Sequence, residues 1–145
     1  MIATISKDFT FSASHQLDGL PADHQCARLH GHNYTLRITI SGHVIEPGFV
    51  IDYGELAFIK QHVDEQLDHR HLNDVFDFNP TAENMAGWLA DWVAIRLRER
   101  TNITNITASL SETGKTWATV AAQPSHLPTV HDLDTDRYRW GNEER

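Results

Sequence analysis

His30 and His32 flank a single glycine and open a stretch in which Tyr34, Leu36, Ile38 and Ile40 fall on alternate positions. That is the period of a β-strand, so the two imidazoles point to one side. Upstream, Phe9, Phe11, Ala13 and His15 alternate in the same way. If the two strands pair antiparallel, the end of the first lies beside the start of the second, and His15 arrives at the same corner. Gly31 allows close backbone approach there. Three converging imidazoles suit a zinc ion. Three protein ligands leave its fourth position open, as catalytic zinc sites do.

Three further groups could work beside such an ion. Cys26 lies four residues before His30. A nearby cation favours thiolate, which is a useful base or nucleophile, but the same sulfur could also be a fourth metal ligand. Arg28, between them, could stabilise thiolate or phosphate. Asp68-His69-Arg70-His71 places two imidazoles next to a carboxylate, the elements of an acid–base pair. Glu112 continues the apolar face of Ile106, Ala108 and Leu110, and a carboxylate there needs a partner. A heterocycle with two adjacent N–H donors, such as the 2-amino-pyrimidinone edge of a pterin or guanine, is one.

The elements that must position these groups follow from periodicity. Strands are expected over Phe9–His15 and from His30 to Ile40, joined by a loop over 16–29 with Gly19 and Pro21. Phe49-Val50-Ile51 reads as a short third piece. Leu56, Ile59, Val63 and Leu67 form one stripe of an amphipathic helix. The segment from Asp68 to Pro80 is polar and turn-rich. Thr81 reads as the N-cap of a second helix, with Met85, Trp88, Leu89, Trp92 and Ile95 as its apolar stripe, running to about Arg100. A strand from Ile106 to Glu112, a turn at Gly114 and a partner over Trp117–Ala121 make a hairpin. The order β-β-α-α-β-β predicts an α+β fold, a four-stranded antiparallel sheet with two helices on one face. Residues 1–123 form the expected domain and 124–145 a polar C-terminal extension.

The 145 residues carry 20 Asp and Glu against 12 Lys and Arg, a formal net charge of −8. No Lys/Arg cluster forms a basic patch, so nucleic acid is not an expected partner. A locally positive pocket for a phosphorylated small molecule remains compatible with that balance. With one cysteine no disulfide framework exists within the chain. Neither a signal peptide nor a membrane span is legible, and a cytoplasmic location is expected.

The combined motifs resemble the 6-pyruvoyltetrahydropterin synthase family, and within it the bacterial 6-carboxy-5,6,7,8-tetrahydropterin branch. The carriers are Phe9 to His15, Cys26-Ala27-Arg28-Leu29-His30-Gly31-His32-Asn33-Tyr34, Asp52, Leu67-Asp68-His69 with Leu72-Asn73, Pro80-Thr81-Ala82-Glu83-Asn84, and Glu112-Thr113. By this resemblance His15, His30 and His32 are zinc ligands, Cys26 is the catalytic thiol, and Asp68 and His69 complete a proton relay. Glu112 anchors the pterin ring and Thr81 contacts it; apart from the resemblance, basic groups such as Arg28 or Lys115 could meet the triphosphate of such a substrate. The three-residue gap between Cys26 and His30 points to the carboxy branch. The implied fold is the tunnelling fold, with three sheets closing a barrel and two trimers stacking as a hexamer. The implied reaction is a lyase step on 7,8-dihydroneopterin triphosphate, early in the route to queuosine and other 7-deazapurines. A pyruvoyl-type elimination, a zinc hydrolase or a noncatalytic pterin- or purine-binding module are the alternatives.

Overall fold

A computed structural model describes residues 1–123; the expected extension over 124–145 lies outside the described residues. The elements are β1 (Ile2–His15), β2 (His30–His43), α1 (Ala57–His62), β3 (Arg70–His71), α2 (Leu72–Val75), α3 (Ala82–Arg96), β4 (Ile103–Ser111) and β5 (Ala118–Ala121). They form one sheet in the order β3-β1-β2-β4-β5. The α+β arrangement is as expected. No helix among the described residues is long and apolar enough to cross a membrane.

β1 and β2 pair antiparallel along their whole length, from Ile2 opposite His43 to His15 opposite His30. One face of this ribbon carries Phe9, Phe11, Ala13, Tyr34, Leu36, Ile38 and Ile40, all buried. With Ile106, Ala108 and Leu110 of β4 they pack beneath the helices. Each such aliphatic side chain contributes roughly 1.5–3 kcal/mol on burial. The opposite face is hydroxyl-rich. Thr4 bonds Ser41 at 2.8 Å, Ser6 bonds Thr39 at 3.0 Å and Ser109 bonds Thr119 at 2.7 Å across neighbouring strands. Asp8 and Arg37 form a two-pronged ion pair on that face.

The expected helical stripes are both buried. Leu56 to Leu67 is not one regular helix: a 3₁₀ turn over Tyr53–Leu56 leads into α1, which widens to a π-turn over Val63–Leu67. Thr81 caps α3 through its Oγ1, which accepts from Asn84 N at 3.2 Å, a cap contributing about 1 kcal/mol. α3 stops at Arg96, short of Arg100. Gly114, at φ +77°, makes the expected turn before β5.

Two expectations are corrected. The sheet has a fifth strand, β3, which pairs parallel to β1 at Ala13 and Ser14. Two residues are too few to show alternation, and backbone anchoring creates the strand: His69 N donates to Ser12 O at 2.6 Å. Phe49-Val50-Ile51 is not a strand. Val50 and Ile51 are buried as core, and only Phe49 bridges, to Ile45.

Candidate metal centre and active site

The β1–β2 register places His15 opposite His30 and Ala13 opposite His32. Their rings converge, with centroids 4.6 Å apart for His15–His30, 5.1 Å for His15–His32 and 4.8 Å for His30–His32. One ligand atom from each lies within 4.8 Å of the other two. The strand ends approach closely because of Gly31, where a Cβ would meet Ala13 O at 3.3 Å.

The second nitrogen of two rings is committed. His15 Nδ1 lies 2.9 Å from Pro80 O, and His30 Nδ1 lies 2.7 Å from Arg28 O. A carbonyl only accepts, so each Nδ1 carries a proton, and in its neutral form each ring turns a bare Nε2 inward. Those two Nε2 atoms are 3.0 Å apart. Lone pairs at that distance repel unless a cation, proton or metal, lies between them. His32 Nε2 is buried with no hydrogen-bond partner. Burial holds the pKa of both His15 and His32 below the usual imidazole value, which favours the neutral ligand form. The donor set therefore fits a metal ion. Outer bonds from ligand histidines to carbonyls are what metal sites use to fix the tautomer.

Glu112 follows β4 directly. Its carboxylate oxygens lie 3.7 Å from His15 Nε2 and 3.8 Å from His32 Nε2. It also lines, with Thr81, Leu110 and Trp117, a cavity of roughly 210 Å³ at the end of the sheet. Tyr34 sits beneath, with its hydroxyl 3.2 Å from His15 Nδ1. Burial, and secondarily the Glu112 charge, push the Tyr34 pKa up, so the phenol keeps its proton.

Cys26 lies in a 3₁₀ turn over Gln25–Ala27, where its N–H donates to His24 Nδ1 at 3.1 Å. It is half-buried and is not among the converging ligand atoms. The Arg28 side chain is exposed, and its carbonyl rather than its charge serves the histidines. Lys115 is exposed in the β4–β5 turn.

Asp68 and His69 form the expected pair, with Nδ1 and Oδ2 at 2.9 Å. Bonds from Ser12 N–H and from His69 hold the Asp68 carboxyl below its ordinary pKa. The pair is not joined to the metal corner by any hydrogen bond or ion pair among the described residues. His69 opens on a cleft bordered by Ser12, Ser14 and Asn33, and also by His32 at the margin of the metal corner. Sequence reading missed Pro80, Tyr34 and His24 as supports. Tyr34 alone had a signal, as the next residue on the His30–His32 face.

A family model described as 6-pyruvoyl tetrahydropterin synthase matches residues 4–123. Over 63 residues the chain is 41% identical to a dihydroneopterin monophosphate aldolase of Pyrococcus furiosus, covering 43% of this chain and 54% of that one. Over 75 residues it is 39% identical to a 6-carboxy-5,6,7,8-tetrahydropterin synthase of Haemophilus influenzae, covering 48% and 52%. The chain thus spans about half the length of these two relatives. The solved structure of Caenorhabditis elegans 6-pyruvoyl tetrahydropterin synthase superposes with a TM-score of 0.71 at 25% identity, covering 85% of this chain and 97% of that one.

Proposed function

Because this chain belongs to the 6-pyruvoyl tetrahydropterin synthase family, we propose that it is a zinc-dependent 6-carboxy-5,6,7,8-tetrahydropterin synthase. It takes 7,8-dihydroneopterin triphosphate and water to 6-carboxy-5,6,7,8-tetrahydropterin, acetaldehyde and triphosphate. The observation that carries this reading is the convergence of His15, His30 and His32 beside a cavity that Glu112 and Thr81 line. Named 6-carboxy-tetrahydropterin synthases among its relatives, and the Cys26–His30 spacing, support the carboxy branch.

His15, His30 and His32 would hold the zinc, which supplies Lewis-acid polarisation of the substrate's side-chain oxygens. Glu112 accepts from the two N–H donors of the pterin edge and fixes the ring, with Thr81 beside it. The Cys26 thiolate moves protons on the side chain, and its turn is stiffened by the bond from Cys26 N–H to His24. His69, oriented by Asp68, is the second acid–base group. In one copy no hydrogen bond or ion pair among the described residues joins that pair to the metal corner, and we read a neighbouring copy as presenting it. We read the assembly as a hexamer of two stacked trimers, located in the cytoplasm, serving the queuosine and 7-deazapurine route.

The test is product analysis with purified, zinc-loaded protein and 7,8-dihydroneopterin triphosphate. Acetaldehyde in equal amount to the carboxypterin is expected. Triphosphate release without acetaldehyde would mark a pyruvoyl-type elimination. A phosphorylated glycolaldehyde would mark a retro-aldol cut instead. Ligand binding with no turnover would leave a pterin-binding module.

A further inference from the structure

The pairing of β1 with β2 ends at His15. The backbone of Gln16, Leu17 and Asp18 beyond it needs other partners, and two asparagine side chains supply them. Gln16 N–H donates to Asn73 Oδ1 at 2.9 Å, and Asn73 Nδ2 donates back to Gln16 O at 2.7 Å. Asn79 repeats the pattern on Asp18, accepting its N–H at 3.0 Å and donating to its oxygen at 3.0 Å. An amide side chain carries the same C=O and N–H groups as a peptide, so each asparagine stands in for one residue of a neighbouring strand.

Leu17 lies between the two clamps, and its N–H donates to Cys26 O at 3.0 Å. That N–H and the Gln16 oxygen belong to one peptide group. Asn73 therefore holds one end of the plane whose other end holds Cys26. Cys26 is tied on its other side by its own N–H, which donates to His24 Nδ1. Hydrogen bonds in series through one peptide orient and polarise each other. Asn73 is itself fixed by α2, whose Leu72 is fully buried.

We propose that Asn73 is a positioning residue for Cys26, acting through the Gln16–Leu17 peptide. The proposal rests on the reading of Cys26 as the proton-transfer thiol. Asn79 secures the segment beyond, so a change at Asn73 loosens the peptide plane and not the whole loop. A thiol displaced by about an ångström remains in the site but transfers protons poorly. The loss then falls on kcat and not on KM.

The experiment uses zinc-loaded, full-length Asn73→Asp, which keeps the acceptor for Gln16 N–H and turns a carboxylate oxygen toward Gln16 O in place of the donor. Hydrogen exchange at the Leu17 amide should quicken roughly three- to tenfold, the worth of one hydrogen bond. Zinc content and the amides of the β1–β2 ladder should stay as in wild type. With 7,8-dihydroneopterin triphosphate, kcat should fall roughly ten- to a hundredfold while KM holds. In a Cys26→Ala background the same substitution should cost nothing further, because the two residues act as one unit. Asn73→Ala removes both bonds and should show the same coupling, which covers the case of an Asn73→Asp that folds poorly. Losses that multiply in the double variant overturn the proposal, since Asn73 would then act through another group. Zinc loss in Asn73→Asp overturns it as well, by placing the effect on His15. An inactive Cys26→Ala beside unmoved Leu17 exchange sinks this proposal alone. A fully active Cys26→Ala refutes the thiol's role first, and the role of Asn73 falls with it.

Discussion

Two carbonyl oxygens, Pro80 O and Arg28 O, decide which nitrogen His15 and His30 offer. The ligand set is thereby arranged before any ion binds, which lowers the cost of ordering it. At this scale the histidine triplet was legible, since strand period and one antiparallel pairing bring His15 to His30. The supports were not, because a backbone carbonyl leaves no mark on residue type. Cys26 stays the residue with two candidate roles, and it stands apart from the converging nitrogens. If Cys26 is the proposed acid–base group, Cys26→Ala should keep the bound metal while turnover falls by about two to four orders of magnitude, the usual worth of such a group. Metal analysis beside single-turnover rates checks this, and joint loss of zinc and stability would make Cys26 a ligand. If Glu112 anchors the ring as proposed, Glu112→Gln turns one acceptor into a donor that would face the pterin's own N–H groups. Losing a charge-assisted hydrogen bond costs ~1.5–3 kcal/mol. Pterin affinity should fall accordingly, with zinc retained, and a binding isotherm with unphosphorylated 7,8-dihydroneopterin reads it directly.

The helix layer shows what periodicity can and cannot carry. Leu56, Ile59, Val63 and Leu67 were readable as one buried stripe, but the widening at Val63–Leu67 was not. It exists where Asp68 N reaches back to Val63 O at 2.8 Å, after which the chain leaves the helix to meet β1. The result is a His69 at φ +57° and an acid–base pair presented at the sheet edge. On the other side of α1, His62 packs against Trp92 at 4.2 Å and Trp88 at 5.8 Å between ring centroids. Burial, with the Arg96 charge adding to it, lowers the His62 pKa to about 3. The unfolded chain takes up this proton near pH 6.5, so between those values it binds more protons than the folded one. Stability then falls as pH drops below 6.5, by up to about 1.4 kcal/mol per pH unit for this group, and levels off near the folded pKa. His15 and His32 shift in the same direction. Urea unfolding of metal-free protein between pH 7 and pH 4 should show this slope, and His62→Phe should flatten it. A slope unchanged by His62→Phe would assign the whole effect to the metal corner.

At the scale of the whole molecule the sheet is unfinished on both sides. β3 covers β1 only at Ala13 and Ser14, so the edge from Ile2 to Ser12 has no strand beside it among the described residues. β5 forms the opposite edge with its four residues. Bare edges of this length call for another chain. A second copy would supply it and would also resolve the separation of the site. His15, His30 and Glu112 sit at the helix-face corner of the sheet, while His69 opens on a cleft that Ser12, Ser14 and Asn33 of the other face border together with His32. If function needs both, each active site takes the metal corner of one copy and the acid–base pair of the next. That arrangement makes a quantitative demand on mixed assemblies. His30→Ala alone and His69→Ala alone should each be nearly inactive. Unfolded together in equal amounts and refolded, they should recover roughly one working site in four, because a site needs an intact corner from one parent and an intact pair from the other. Refolding each variant separately and then mixing should recover far less unless subunits exchange. If the two groups worked within a single chain, no mixing protocol would restore activity, because every chain would carry one broken half.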